Sequence, residues 1–161
     1  ILEKAIKQAA EGFVETRIKE GENLRNDLYE KLDGMLTHVD YIEERSPQIV
    51  SEYREKLEAK VRELLGETQM DEGRIAAEVV IFADKICVDE ETVRLRSHIN
   101  QFRALIDEKN PVGRKLDFLT QEVNREINTI GSKANDASIQ KLVVMMKDEL
   151  EKIKEQTLNV L

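Results

Sequence analysis

Glu122 and Glu126 stand four residues apart, so on a helix both carboxylates project from one side. Glu78, Asp84, Glu91 and Asp117 lie in neighbouring segments that could be folded against them, and His98 supplies an imidazole. Carboxylates with one His suit Mg²⁺ or Mn²⁺, which prefer oxygen ligands and accept borderline nitrogen. Such an ion can activate water for attack on a phosphodiester and steady the leaving oxygen. The competing reading is that these acids sit in water or pair with Lys and Arg, and that His98 is simply solvated. Other chemistries lack their residues. There is no Gly-rich phosphate loop, no CxxC and no HExxH, and nothing in the sequence singles out a nucleophile beside a His.

The helix that must carry the Glu pair runs through Gly113 to Asp136 and has two distinct faces. Leu116, Leu119, Val123, Ile127 and Ile130 recur at steps of 3, 4, 4 and 3, an apolar stripe. Asp117, Gln121, Asn124 and Asn128 line a second face, with Arg114, Arg125 and Ser132 close by. A helix surface that needs only solubility is usually filled with Glu and Lys, whereas Asn competes for backbone hydrogen bonds. The amides therefore point to specific partners, either a ligand or a neighbouring helix. Upstream, Leu95, Ile99, Phe102 and Ile106 form an inward stripe, and Glu91, Arg94, His98 and Gln101 share the opposite one.

The 161 residues carry a net charge of −8, with 36% charged residues, 4% aromatics and two prolines, a profile of long amphipathic helices. Charge is unevenly spread: Arg94 to Lys133 holds eight basic and five acidic residues, a local +3 that leaves −11 for the rest. No apolar run approaches a membrane span. The single Cys87 excludes an internal disulfide, and its apolar neighbours suggest a small buried side chain. Ile1 opens inside a helical pattern, which reads as a fragment of a longer chain.

The expected architecture is all-α: a long antiparallel helical hairpin followed by a helical bundle with coiled-coil-like packing. Residues 1–66 form the hairpin or arm. Its first helix is striped by Leu24, Leu28, Leu32, Met35, Val39 and Ile42, and its restart falls at Ser46-Pro47, with Ser as N-cap and Pro at the first helical position. Residues 67–161 form a second helical domain. Asp71 or a neighbour opens one helix, Asp89 caps the next, and Asn110-Pro111 ends it. Gly131 to Asp136 is a break, and Asp136 or Ser138 caps a last helix with a seam of Ile139, Val143, Met146, Leu150 and Ile153.

AEVVIFADKICVDEETVRLRSHINQF, then GRKLDFLTQEVNREINTIGSKAND and a final KDELEKIKEQTLNV, closely resemble the C-terminal half of the YicC/YloC-type bacterial endoribonuclease family, the stress-induced proteins. Departures are few: Cys87-Val88 stands where a more polar pair is usual, and Thr157 near the end. The resemblance implies a cytoplasmic, divalent-metal-dependent enzyme that cuts single-stranded RNA internally, assembles as a ring-like homohexamer and has a further domain ahead of these helices. On that reading His98 is a general base or metal ligand, and Glu122 and Glu126, with Glu78 and Asp117, hold Mn²⁺ or Mg²⁺. Arg94, Arg114, Lys115, Arg125 and Lys133 hold phosphates and stabilise charge in the transition state. Gln101, Gln121, Asn124 and Asn128 bond sugar or base edges. The rival expectation is a non-catalytic RNA-binding adaptor or a helical oligomerisation scaffold.

Overall fold

The computed structural model describes residues 2–66, 69–108 and 112–158, and these form five helices and no strand. They are α1 (Leu2–Leu65), α2 (Glu72–Ile86), α3 (Asp89–Ile106), α4 (Gly113–Lys133) and α5 (Ala137–Leu158). The all-α expectation holds. None of these helices is long and apolar enough to cross a membrane.

The expected hairpin is absent. α1 is one continuous helix of 64 residues, roughly 95 Å long, with Pro47 inside it. An interior proline removes one backbone bond and costs about 3 kcal/mol, so something must hold the segment helical. Ile42 and Ile49, on either side of the proline, are both buried in the core. The Arg45 guanidinium spans the same stretch, donating to Glu52 at 2.5 Å and to Asp136 of the α4–α5 linker at 2.8 Å. Ser46 does not cap a new helix; its hydroxyl donates to the Ile42 carbonyl one turn back. Tertiary packing has overridden a local stop signal. The helix does stop at Gly66, whose φ of 62 is the left-handed conformation that glycine adopts without cost.

α1, α3, α4 and α5 make a four-helix bundle in which α3 and α5 each touch α1 and α4. Cross-links give the directions. Arg96 pairs with Asp40 and Glu43, Arg103 with Asp33 and Asp107 with Arg25, so α3 runs antiparallel to α1. Gln156 bonds Asp27 while Asp136 pairs with Arg45, so α5 is antiparallel to α1 as well. The apolar stripes read from spacing are the bundle core: Leu95, Val123, Ile127, Ile130, Met146 and Ile153 are among its most buried members. Gly131 permits a close approach, because a Cβ there would stand 3.1 Å from Val143 Cγ1. α2 packs mainly on α1, where Phe82 stacks on Tyr53. Before Leu24, α1 runs clear of the bundle with Leu2, Ile6, Phe13 and Ile18 exposed.

Several boundaries move. Asp71 caps α2 through the Arg74 N–H, and Asp136 caps α5 through the N–H groups of Ser138 and Ile139, as spacing suggested. Asp89 is instead the first residue of α3, with Val88 before it. α4 continues past Gly131 to Lys133, shortening the break to Ala134–Asp136. Cys87 is exposed rather than buried, because Val88 takes the core position in that linker. Asn110-Pro111 falls outside the described residues.

Candidate metal and RNA site

α3 and α4 pack antiparallel, and at the edge of their apolar seam two polar ridges meet. Glu91, Arg94, His98 and Gln101 recur at 3, 4 and 3 along α3, beside the core stripe rather than within it. On α4, Glu122, Glu126 and Lys133 occupy the matching edge at steps of 4 and 7. Two antiparallel helices then pair the ridges end to end: Glu91 with Lys133, Arg94 with Glu126, and His98 with Glu122 and Glu126.

His98, Glu122 and Glu126 each offer one donor atom, and these three atoms lie within 4.8 Å of one another. Glu126 is only 4% exposed, while His98 and Glu122 are half-buried. His98 Nδ1 is buried and has no hydrogen-bond partner among the described residues. A buried polar atom left unpaired costs stability, and a cation or a water bonded to this imidazole would relieve that cost. Two hard oxygens and one nitrogen, close enough to share one centre, fit Mn²⁺ or Mg²⁺.

Behind this triad lies an ionic frame. Arg94 Nε sits 3.3 Å from Glu126 and its terminal nitrogens 3.4 Å from Glu91 and Glu90. Lys133 Nζ donates to Glu91 at 2.8 Å. Burial alone would push the Glu91 carboxyl up, but the Lys133 ammonium, the backbone N–H of its own helix turn and the Arg94 charge outweigh it and hold it below the usual carboxylate range. Glu91 therefore stays ionised and holds Lys133 of α4 together with Arg94 of its own helix. Its second oxygen is buried and unpartnered among the described residues.

Of the sequence-expected residues, the fold brings together His98, Glu122, Glu126, Arg94 and Lys133, with Arg125 close to Glu122 at 3.9 Å. Two expected metal ligands are elsewhere. Glu78 is exposed on α2, whose main packing partner is α1. Asp117 is exposed and accepts a bond from Gln121 at 3.0 Å; at 100° per residue it lies on the far side of α4 from Glu126. Gln121, Asn124 and Asn128 share that face and are exposed. Gln101, Arg114 and Lys115 lie further along the same α3–α4 seam. Arg94 and Lys133 are engaged with carboxylates, a different duty from free phosphate binding. Glu91 is the residue whose weight spacing understated, although its place on the Arg94–His98 stripe was the signal.

Residues 42–161 match the family model described as Endoribonuclease YicC-like, C-terminal. The chain is 45% identical to a Clostridioides difficile protein named probable endoribonuclease YicC, over 99% of this chain and 55% of that protein. It is 32% identical to the Haemophilus influenzae protein of the same name, over 92% of this chain and 51% of that one. The chain thus spans about half the length of these relatives.

Proposed function

Because this chain belongs to the endoribonuclease YicC-like, C-terminal family, we propose that it is the helical half of an endoribonuclease that cuts single-stranded RNA with the help of Mn²⁺ or Mg²⁺. The observation that carries the reading is the convergence of His98, Glu122 and Glu126. These three residues would hold the cation. Bound there, it would supply charge stabilisation on the phosphodiester and a more acidic water.

The chain's own groups provide the rest. Glu126 is oriented by Arg94, which Glu91 holds in turn, so the donor set is preorganised rather than assembled by the substrate. Glu122 is half-buried and can accept a proton at the solvent edge. Arg125, with a side chain 74% exposed, can swing onto a phosphate oxygen. Arg114 and Lys115 extend the cationic track along the seam. Family membership also supports two further parts of the proposal, a cytoplasmic setting and a ring-like homohexamer, the latter tested by sedimentation of the full-length protein.

The test is cleavage of a circular RNA with Mn²⁺ and then with excess chelator. Chelator-sensitive linearisation that is lost in His98→Ala supports the reading, and metal-independent cutting would sink its metal part. A second reading has its own observation. Arg94 and Lys133 already satisfy much of the charge of Glu91 and Glu126, as in a purely structural network of an RNA-binding adaptor or scaffold. Salt-sensitive RNA binding without cleavage would favour the adaptor, and neither binding nor cleavage the scaffold.

A further inference from the structure

We propose that the groove between α3 and α4 beside the His98–Glu122–Glu126 cluster receives a nucleobase of the RNA, from the nucleotide flanking the bond to be cut. The inference rests on the RNA reading of that cluster and adds a base-binding subsite to it. α4 buries Leu116, Leu119, Val123, Ile127 and Ile130, yet Phe118 is 58% exposed and off that stripe. It stands one turn before Glu122, roughly 6 Å along the helix. Its ring helps to line a groove of about 480 Å³ with Leu105 and Leu119, and Gln101, Arg114 and Lys115 complete the lining. Gln101 in turn lies one turn beyond His98 on α3, so groove and cluster are consecutive stretches of one seam.

The lining selects its occupant by chemistry. It carries two cations and no carboxylate. Among the described residues Arg114 has no acid within pairing distance, and Lys115 is 3.6 Å from Glu108, a loose contact. A flat exposed aromatic beside one unpaired and one loosely paired cation matches an unstacked base with its phosphates on either side. The Gln101 amide, which donates to Ser97 at 3.2 Å, can turn to a base edge. An apolar protein helix would use the ring but offer nothing to Arg114 or to the loosely held Lys115. Stacking on Phe118 tolerates every base, so the subsite would anchor the strand and offer only a modest preference.

The experiment measures binding of a short single-stranded RNA to the full chain carrying His98→Ala, so that no cleavage intervenes, with Mg²⁺ present. It is repeated with Phe118→Ala and Phe118→Trp added, and with RNA lacking single bases. Phe118 is exposed, so its truncation should leave the melting temperature unchanged. The proposal requires Phe118→Ala to weaken binding about tenfold, Phe118→Trp to retain it, and removal of one base to mimic the alanine variant without adding to it. Unchanged binding by Phe118→Ala overturns the subsite while leaving the RNA reading intact. So does a change confined to the sedimentation coefficient, since Phe118 would then be covered by a second copy. If the parent binds no RNA at any salt concentration, the RNA reading itself fails and the subsite goes with it.

Discussion

Where α4 meets α5, the contact is dry and close: a Cβ on Gly131 would touch Val143 at 3.1 Å, and Ile139, Met146 and Ile153 are almost fully buried. Where α4 meets α3, the same apolar seam is edged by Glu91, Arg94, His98, Glu122, Glu126 and Lys133. One helix thus gives one flank to apolar packing and, on the proposed reading, the other to chemistry. A dry flank gains from every methylene it buries. A charged flank loses desolvation energy and must recover it through pairing, which favours retaining it for something other than stability. The two flanks should therefore respond to mutation in opposite currencies, activity for one and folding for the other.

The largest effect is expected in catalysis. His98→Ala, or Glu126→Gln with its near-identical shape, should lower cleavage at least about a hundredfold, as for loss of a positioned acid–base or ligand group. The melting temperature should move little, and Mn²⁺ binding followed by calorimetry should weaken in both variants. Retained full activity in both would end the assignment of this flank. Met146→Ala on the dry flank inverts the pattern. Emptying that site should cost about 2–5 kcal/mol in chemical denaturation, while cleavage per folded molecule stays near the parent value.

The next test uses pH and the linker that joins the flanks. Burial alone would raise the Asp136 carboxyl, but the Arg45 guanidinium, the Ser138 hydroxyl and the Ile139 backbone N–H overcome this and bring it down to about 2. A folded-state value below the ordinary 3.8 means that its contribution is fully present above about pH 4 and is lost as pH falls through 2. The shift corresponds to roughly 2 kcal/mol. Asp136→Asn should therefore destabilise the bundle by about that much at pH 7 and by much less at pH 2, measured by urea unfolding. An equal loss at both pH values would assign the effect to packing instead.

Spacing made some of this visible and hid the rest for identifiable reasons. Steps of 3 and 4 fix which residues share a face of one helix, so the core stripes of α3, α4 and α5 and the Glu122–Glu126 pair were legible. Which helix a face meets is decided by the bundle. That is why Glu78 and Asp117, grouped with the Glu pair by spacing, lie apart from the His98 cluster, and why the amide stripe of Gln121, Asn124 and Asn128 is exposed. Pro47 misled because a local stop signal of about 3 kcal/mol is outweighed by Ile42, Ile49 and the Arg45 bridge. Glu91 was undervalued because an acid in a first helical turn already has an ordinary explanation in the helix dipole.

The finest contrast lies within the charged flank, between Arg125 and Lys133. Each carries one positive charge on α4, two turns apart, yet Arg125 is 74% exposed and Lys133 half as much, with its ammonium on the buried Glu91 carboxylate. Removing Lys133 strips a partner from a buried acid, so Lys133→Ala should cost on the order of 1–2 kcal/mol of stability and misalign Arg94. Arg125→Ala leaves no buried charge behind and should alter stability by less than about 0.5 kcal/mol. Its effect should appear instead in RNA binding, as a reduction of roughly 0.7 in the slope of log affinity against log salt, the signature of one lost phosphate contact on a single strand. An unchanged slope would remove Arg125 from the RNA track, leaving Arg114 and Lys115 as its exposed cations beyond the cluster. On the proposed reading, exposure and not charge alone separates a residue that builds the frame from one that would meet the substrate.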